Sequence, residues 1–251
     1  MPVTPGIEAP LIEVFSSIQG EGVLVGCRQI FVRFAACNLD CAYCDTAFNE
    51  QPNCRIETQP GSGVFASHPN PFALTDLTRQ IEGWQQVTAG AHHSLVLTGG
   101  EPLLHADILV QWLPEMRTVL PIYLESNGTL PAELAKMMSL VDYISMDIKG
   151  ESTTGFATPW QAHTDYLMLA KDKLCQVKLV VDAKTSIDEV VQAAALISRY
   201  APDVPFVLQP RTAGKRPAIA GPALLRLQQA AAASHPDVRV IPQIHPLLGV
   251  A

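Results

Sequence analysis

The chain alternates short apolar segments with amphipathic segments, and this alternation restricts the possible folds more than any other feature. Each short segment is rich in β-branched and aromatic residues and ends at Gly, Pro or a polar residue, which is typical of a buried strand. Strands that alternate with helices form βαβ units and a mainly parallel sheet. The predicted strands are RQIFVRFAA (28–36), HSLVLTG (93–99), PIYLESNG (121–128), DYISMDIKG (142–150), CQVKLVVDA (175–183), PFVLQP (205–210) and VRVIPQIH (238–245), the last interrupted by Pro242.

The amphipathic segments repeat apolar residues at helical spacing. In the first of them Thr75 is the expected N-cap. Six or seven strands are fewer than the eight that close a (β/α)8 barrel. The sequence therefore predicts an α/β fold, a partial, open barrel of about six parallel strands. The predicted helices are 73–87, 106–119, 131–140, 186–200 and 221–233.

Two stretches interrupt the alternation. Residues 48–72 are dense in Pro, Gly, Asn and Ser, which predicts a long loop, and residues 149–163 are predicted to form a second loop. The strand–helix pattern resumes unchanged after each of them, so neither resembles a domain linker. We therefore expect a single domain over residues 1–251, with a variable loop at about 48–72.

The charge balance and hydropathy narrow the possible partners and location. The chain has 24 Asp and Glu against 17 Lys and Arg, whereas binding to a phosphate backbone requires a basic surface. No segment reaches the roughly 18 consecutive apolar residues of a membrane span, and the first residues lack a signal-peptide pattern. We expect a cytoplasmic protein with no nucleic-acid or membrane partner, whose thiols stay reduced.

Three cysteines, Cys37, Cys41 and Cys44, lie within the eight residues CNLDCAYC. Because the thiols are expected to be reduced, this spacing favours metal binding over a disulfide. A structural zinc site usually has four Cys or His ligands, and a four-iron cluster usually has four thiolates. Three thiolates leave one metal position open, which favours an iron–sulfur cluster over zinc. The other cysteines, Cys27, Cys54 and Cys175, form no paired motif, so no second cluster is expected.

The cysteine motif, with Tyr43 before its last cysteine, resembles that of the radical S-adenosylmethionine (SAM) enzymes. LTGGEPLL (97–104), SMDIKG (145–150) and LQP (208–210) resemble the segments that contact SAM in these enzymes. The resemblance implies a 4Fe-4S cluster bound by the three cysteines, with SAM completing the coordination of the fourth iron. It also implies that SAM is contacted by Tyr43, Cys44, Asp45, Gly100, Glu101, Ser145, Asp147, Lys149 and Gln209.

A longer segment, residues 13–48, resembles the 7-carboxy-7-deazaguanine synthase family, through its Ser-x-Gln-Gly-Glu-Gly element (17–22) and the Cys-Asp-Thr at 44–46. Glu151 departs from the proline that is common in one branch of that family. The resemblance implies radical ring contraction of 6-carboxy-5,6,7,8-tetrahydropterin to 7-carboxy-7-deazaguanine with loss of ammonia, in the biosynthesis of queuosine and other deazapurines. It also implies a homodimer and an electron donor such as flavodoxin or ferredoxin.

The same resemblance implies a substrate site and a Mg²⁺ ion. Arg33 is a lone cation inside the apolar segment FVRFA, and its planar guanidinium could bind a substrate carboxylate through two hydrogen bonds. A structural ion pair is the alternative role. Thr46 is implied to bind Mg²⁺ together with substrate oxygens. The expected substrate-binding residues are Ile18, Gln19, Gly20, Glu21, Arg33, Thr98 and His245.

Two other functions remain open at this point. A glycyl-radical-enzyme activase, which acts on a protein partner, shares the cysteine motif, the Gly-Gly-Glu-Pro segment and the Asp-x-Lys strand. A zinc-binding interaction module would use the cysteines alone, but it lacks a fourth ligand. The elements at 17–22 and 44–46 favour the synthase.

Overall fold

A computed structural model describes residues 6–44, 46–214 and 216–250. Helices alternate with strands along most of this length. The strands are β1 (Glu8–Ala9), β2 (Leu11–Ile18), β3 (Arg28–Phe34), β4 (Asn53–Glu57), β5 (Phe65–Pro69), β6 (Phe72–Ala73), β7 (Leu95–Gly99), β8 (Ile122–Ser126), β9 (Tyr143–Ile148), β10 (Leu174–Val181), β11 (Phe206–Pro210), β12 (Thr212–Ala213), β13 (Arg216–Pro217) and β14 (Val238–Val240). The helices are α1 (Leu74–Val87), α2 (Ala106–Met116), α3 (Pro131–Met137), α4 (Glu151–Thr154), α5 (Trp160–Ala170), α6 (Ile187–Tyr200), α7 (Gly221–Ala232) and α8 (His245–Leu248).

Ten of these strands form one sheet, in the order β14-β11-β10-β9-β8-β7-β3-β2-β4-β5. From β3 to β14 every neighbouring pair is parallel. Strand β2 pairs antiparallel with β3 and parallel with β4, and β5 completes a hairpin with β4 at the edge. The sheet does not close, which confirms the predicted open α/β barrel. All of the predicted strands are present, and β14 ends before Pro242, which has no N–H for the sheet.

Alternation along each parallel strand separates the core from the inner face of the sheet. In β7, for example, Leu95 and Leu97 lie in the large core cluster, whereas Val96 lies in a small cluster on the opposite face. Successive side chains of a strand point to opposite faces, so this pattern repeats from strand to strand. The small inner cluster consists of Phe15, Phe31, Val96 and Tyr123.

Both predicted loops contain regular structure, so describing them as loops was wrong. Residues 48–72 include the β4–β5 hairpin, in which Cys54 and Ile56 are buried and Thr58 N–H donates to Val64 O at 2.8 Å. Residues 149–163 contain α4 and the first turn of α5. These strands and helices are short, and Pro and Gly around them obscured their pattern.

Two smaller differences concern helices. Thr75 is not an N-cap, because α1 begins at Leu74 and the preceding Ala73 provides no side-chain cap. Helix α5 was not predicted at all, although His163, Tyr166, Leu167 and Ala170 form a buried stripe at helical spacing. No helix among the described residues is both long and apolar enough to cross a membrane.

Candidate active site

A cavity of about 710 Å³ lies on the inner face of the sheet, toward the carboxyl ends of the parallel strands. The alternation described above explains its polar wall. In each strand one set of residues enters the apolar core, and the intervening positions point to the inner face. The strand residues that line the cavity include Arg33 of β3, Thr98 of β7, Glu125 of β8, Asp147 of β9, Lys178 of β10 and Gln209 of β11.

The cysteine segment leaves β3 through an unusual backbone conformation and lines one side of the cavity. Ala36 has a positive φ of 66°, and its carbonyl accepts a hydrogen bond from Glu101 N–H at 2.9 Å. Gly100 packs against the same carbonyl so closely that a Cβ atom there would lie 1.8 Å from Ala36 O. The Gly-Gly-Glu segment therefore supports the start of the cysteine segment directly.

The three cysteines fit a cluster that has three protein ligands. Cys37, Cys41 and Cys44 all line the cavity, and the Ala42 N–H donates to Thr154 O at 3.0 Å. Burial raises the pKa of Cys41 to about 11, so a thiolate at this position needs positive charge such as that of iron beside it. No three His, Cys, Asp or Glu side chains of the described ranges surround a single metal-ion position, whereas a 4Fe-4S cluster spreads its thiolates over separate irons.

Next to the cysteines lies a largely buried lysine that joins several predicted cofactor residues. Lys149 Nζ donates to Asp147 at 2.9 Å and to the Tyr43 hydroxyl at 3.0 Å. The backbone N–H of Lys149 donates to His163 Nε2 at 3.0 Å, and His163 Nδ1 donates to Gly128 O at 3.0 Å. Burial lowers the pKa of His163 to about 4, so its ring stays neutral and can accept this hydrogen bond.

Of the remaining predicted cofactor residues, some line the cavity and others lie outside its wall. Gln209 lines the cavity, and its buried Oε1 has no hydrogen-bond partner among the described residues, as expected of an atom that binds a ligand. Glu101 lies outside the cavity wall, fully buried, and accepts from the N–H groups of Asn127 and Leu103 at 2.7 and 3.1 Å. Ser145 is also off the wall and accepts from Gln176 at 2.7 Å. Asp45 lies outside the described residues.

The predicted substrate residues Gln19 and Thr98 converge on a carboxylate that was not predicted from the sequence. Gln19 Nε2 donates to Glu125 Oε1 at 2.9 Å, and the Thr98 hydroxyl donates to Glu125 Oε2 at 2.8 Å. Burial, and then the negative charge of Glu21, raise the pKa of Glu125. Gln19 Oε1 also accepts from Glu21 N–H at 3.0 Å, which fixes the turn after β2.

Arg33 faces the cavity but has an ion-pair partner, so describing it as a lone cation was wrong. Its Nε lies 3.1 Å from Glu13, the residue opposite it on β2, and its Nη1 lies 3.5 Å from Thr46 Oγ1. Arg55 of the unpredicted hairpin pairs with the same Glu13 carboxylate. Arg33, Arg55 and Thr46 all line the cavity, so two guanidinium groups stand beside one carboxylate.

The C-terminal segment closes the other side of the cavity. Ile244 N–H donates to Gly20 O at 2.9 Å, and a Cβ atom at Gly20 would lie 2.3 Å from His245 Nδ1. Gln243 donates to Glu21 at 2.7 Å. The wall here therefore includes four of the predicted substrate-binding residues, His245, Ile18, Gly20 and Glu21.

Glu125 and Lys178 are the principal cavity residues that were not predicted from the sequence. Each is a charged residue inside an apolar strand, in YLES and QVKLVV. That is the same signal that singled out Arg33, and it could have identified both. Arg55 gave no such signal, because its strand was not recognised.

The sequence is similar to those of known proteins. The family model of the Radical SAM superfamily matches residues 31–200. A 7-carboxy-7-deazaguanine synthase of Geobacter sulfurreducens is 45% identical over 247 residues, which cover 98% of each protein. A protein of the same name from Methanothermobacter thermautotrophicus is 35% identical, over 97% of this chain and 98% of its own length.

Solved structures share the fold at low sequence identity. QueE from Escherichia coli is similar with a TM-score of 0.59 at 18% identity, over 95% of this chain and 96% of that one. Streptococcus suis SuiB bound to S-adenosylmethionine is similar with a TM-score of 0.55 at 13% identity, over 84% of this chain and 51% of that one. At these identities the likeness concerns the fold alone.

Proposed function

The chain belongs to the 7-carboxy-7-deazaguanine synthase family of the radical SAM superfamily, and we propose that its cavity contracts the ring of 6-carboxy-5,6,7,8-tetrahydropterin to 7-carboxy-7-deazaguanine with loss of ammonia. One observation carries this proposal. The three cysteines of the radical SAM motif and the polar residues of the Gln-Gly-Glu turn line the same cavity. The activase alternative is not favoured, because the full-length relatives are named as synthases.

The chain's own residues bind and orient the two small molecules. Cys37, Cys41 and Cys44 would hold the cluster, and Gln209, Lys149 and the glycine segment would contact SAM. When bound, the cluster and SAM would supply the radical chemistry that removes hydrogen from the substrate ring. The protein keeps the substrate in reach of that radical and excludes water.

The polar wall matches the two ends of the substrate. The pterin has N–H donors on its pyrimidine ring, and the Glu125 and Glu21 carboxylates are acceptors for them. Its carboxylate suits the side of the cavity with two guanidinium groups, Arg33 and Arg55. Gln19 and Thr98 hold Glu125 in place for this contact.

Magnesium is part of the same proposal. The Thr46 hydroxyl lies on the cavity wall, but the Arg33 guanidinium beside it repels a dication. A Mg²⁺ ion fits there when the substrate carboxylate neutralises this charge and contributes oxygen ligands. We therefore expect Mg²⁺ to bind together with the substrate.

Three further expectations complete the proposal. Reduction of the cluster requires an electron donor such as flavodoxin or ferredoxin. The protein acts as a homodimer and works in the cytoplasm, where thiols stay reduced. Size-exclusion chromatography with light scattering tests the dimer, and turnover with each purified donor tests the reductant.

The proposal is tested by anaerobic reconstitution with iron and sulfide, followed by incubation with SAM, dithionite and 6-carboxytetrahydropterin. Mass spectrometry should show 7-carboxy-7-deazaguanine and an equivalent of released ammonia. A protein that loads its cluster and cleaves SAM but leaves the pterin unchanged would contradict the proposed substrate. A colourless protein that retains zinc instead of iron would contradict the whole mechanism.

A further inference from the structure

A buried lysine connects the cofactor side of the cavity with the substrate side. Lys178 lies on β10, and only 11% of its side chain is exposed. Its ammonium forms ion pairs with Glu21 and, at 3.3 Å, with Asp147. Lysine is rarely buried to this extent unless it is paired, and here it has two carboxylate partners from different parts of the site.

The two partners belong to the two halves of the proposed reaction site. Asp147 is the residue opposite Lys178 on the neighbouring strand β9, and it also binds Lys149 beside the cysteine segment. Glu21 follows the turn after β2 on the proposed substrate side. A continuous chain of hydrogen bonds and ion pairs therefore runs through Tyr43, Lys149, Asp147, Lys178, Glu21 and Gln243.

Glu21 needs a cation at this place. Burial raises the pKa of a carboxyl, and the negative charge of the nearby Glu125 adds to that effect on Glu21. A third carboxylate, Asp147, shares the same lysine. The charge and hydrogen bond of the Lys178 ammonium, together with the Gln243 hydrogen bond and the charge of His245, outweigh burial and lower the pKa of Glu21 to about 2. Each Glu21 oxygen accepts one hydrogen bond, from Lys178 or from Gln243. Each oxygen keeps a second lone pair for a ligand in the cavity.

We propose that Lys178 is a positioning residue, which keeps the Glu21 carboxylate ionised and directed at the substrate and anchors it to Asp147 on the cofactor side. This inference rests on the proposed function, since it takes the pterin as the ligand of Glu21. Its strongest consequence concerns how the dissociation constant for the pterin depends on pH.

Replacing Lys178 by Met removes the cation and keeps a side chain of similar length. Among the described residues near Glu21, the Gln243 hydrogen bond and the charge of His245 still lower its pKa, whereas burial and the Glu125 and Asp147 carboxylates oppose its ionisation. Its pKa should rise from about 2 into the range of the assay. Below that new pKa, the ionised fraction of Glu21 falls about tenfold per pH unit.

The test is calorimetric titration of the cluster-loaded protein with 6-carboxytetrahydropterin, under anaerobic conditions, from pH 6 to pH 9. Ionisation of the pterin itself affects the parent and the variants equally. It therefore cancels when the dissociation constant of each variant is divided by that of the parent. For Lys178→Met this ratio should be on the order of 10 to 100 at pH 6 and should fall toward one as the pH rises. The dissociation constant for SAM should change less than threefold or so, because Asp147 keeps Lys149.

A matched control separates positioning from structure. Lys173 is a half-buried lysine on the chain leading into β10, and it binds the carbonyl oxygens of Met138 and Val141. Lys173→Met should lower the melting temperature but leave the pterin ratio independent of pH. If Lys178→Met does not fold, two other variants can be tested, Lys178→Gln and the double variant Glu21→Gln/Lys178→Met. The double variant leaves no unpaired charge at Glu21. The Gln variant should show the same pH-dependent ratio, and the double variant should bind the pterin weakly at every pH.

The possible outcomes are distinct. A parent protein that loads its cluster but does not bind the pterin refutes the proposed substrate and leaves Lys178 without its role. A parent that binds the pterin, together with Lys178 variants whose ratio stays near one or is constant with pH, refutes the positioning role alone. An equal loss of affinity for SAM and pterin, independent of pH, identifies Lys178 as a structural residue.

Discussion

Gly100 should tolerate no side chain, because the backbone that leads to the first cluster cysteine lies against it. A Cβ atom at this position would be 1.8 Å from Ala36 O and 2.5 Å from Ala36 C. Non-bonded atoms of this kind stay at least about 3 Å apart, so the backbone at Ala36 would have to move by about 1.2 Å. Gly100 does not have a positive φ, so the effect of Gly100→Ala is steric alone.

That displacement acts on the cysteine segment directly. Ala36 immediately precedes Cys37, and its carbonyl also accepts the Glu101 N–H, so movement at Ala36 breaks this hydrogen bond and shifts the thiol. Overpacking of this kind typically costs ~1–3 kcal/mol of stability. Loss of cluster geometry should be the larger effect, because a ligand displaced by about 1 Å no longer fits its iron.

The measurement is iron and sulfide content after anaerobic reconstitution, together with the thermal unfolding of the unloaded protein. Gly83→Ala in α1 is the matched control, because nothing lies within 4 Å of its Cβ position. It should load normally and be more stable by ~0.5–1 kcal/mol, since alanine favours a helix. A Gly100→Ala protein that loads as much iron as the parent and cleaves SAM at the parental rate would refute the steric argument.

Substitutions at three more positions test the site, two of them with a control variant. Cys41→Ala should lose the cluster and all 5′-deoxyadenosine formation, because three thiolates leave no redundancy, whereas Cys27→Ala should keep both. Arg33→Lys should retain the Glu13 ion pair but lose the planar guanidinium. KM for the pterin should therefore rise about tenfold, or ~1.4 kcal/mol, with little change in melting temperature. A large loss of melting temperature with normal kinetics would indicate a purely structural ion pair. Thr46→Ala should lose most of the stimulation of activity by Mg²⁺, whereas Thr46→Ser should retain it. The measurement is activity as a function of added Mg²⁺, at equal cluster content. An unchanged response in Thr46→Ala would mean that the metal binds elsewhere.

The sequence predicted the parallel strands well because their signal is local. Each is a run of apolar residues between turn residues, and observed bounds such as 143–148 lie inside the predicted 142–150. Every second position of such a strand faces the apolar core, so the run stands out although polar residues occupy part of its inner face. The location of the site was predictable for the same reason, since polar residues at strand ends mark the carboxyl edge of the sheet.

The hairpin at the sheet edge could not be predicted, because contacts distant in sequence stabilise it. The Glu57 carboxylate accepts from Ser16 N–H at 2.9 Å and also from the N–H groups of Gly61 and Gly63 in the hairpin turn. Arg55 finds its partner Glu13 only through the pairing of β4 with β2. A run of five residues in a segment rich in Pro and Gly carries too little periodicity to indicate either contact.

The register of the sheet decides which charges meet, and this explains both the errors and the missed residues at the site. Arg33 was taken as a lone cation because its partner Glu13 lies 20 residues away on an antiparallel strand. The register that pairs these two residues cannot be read from the sequence. Across the inner face the charges follow the strand order: guanidinium groups stand near β3, the Glu125 carboxylate on β8, and the Lys178 ammonium on β10. With its carboxylate toward β3, a substrate that has a carboxylate at one end and N–H donors at the other meets two guanidinium groups at the first end and the Glu125 carboxylate at the second. Because each of these side chains already has a protein partner, the wall is arranged before the substrate enters, and little binding energy is lost in ordering it.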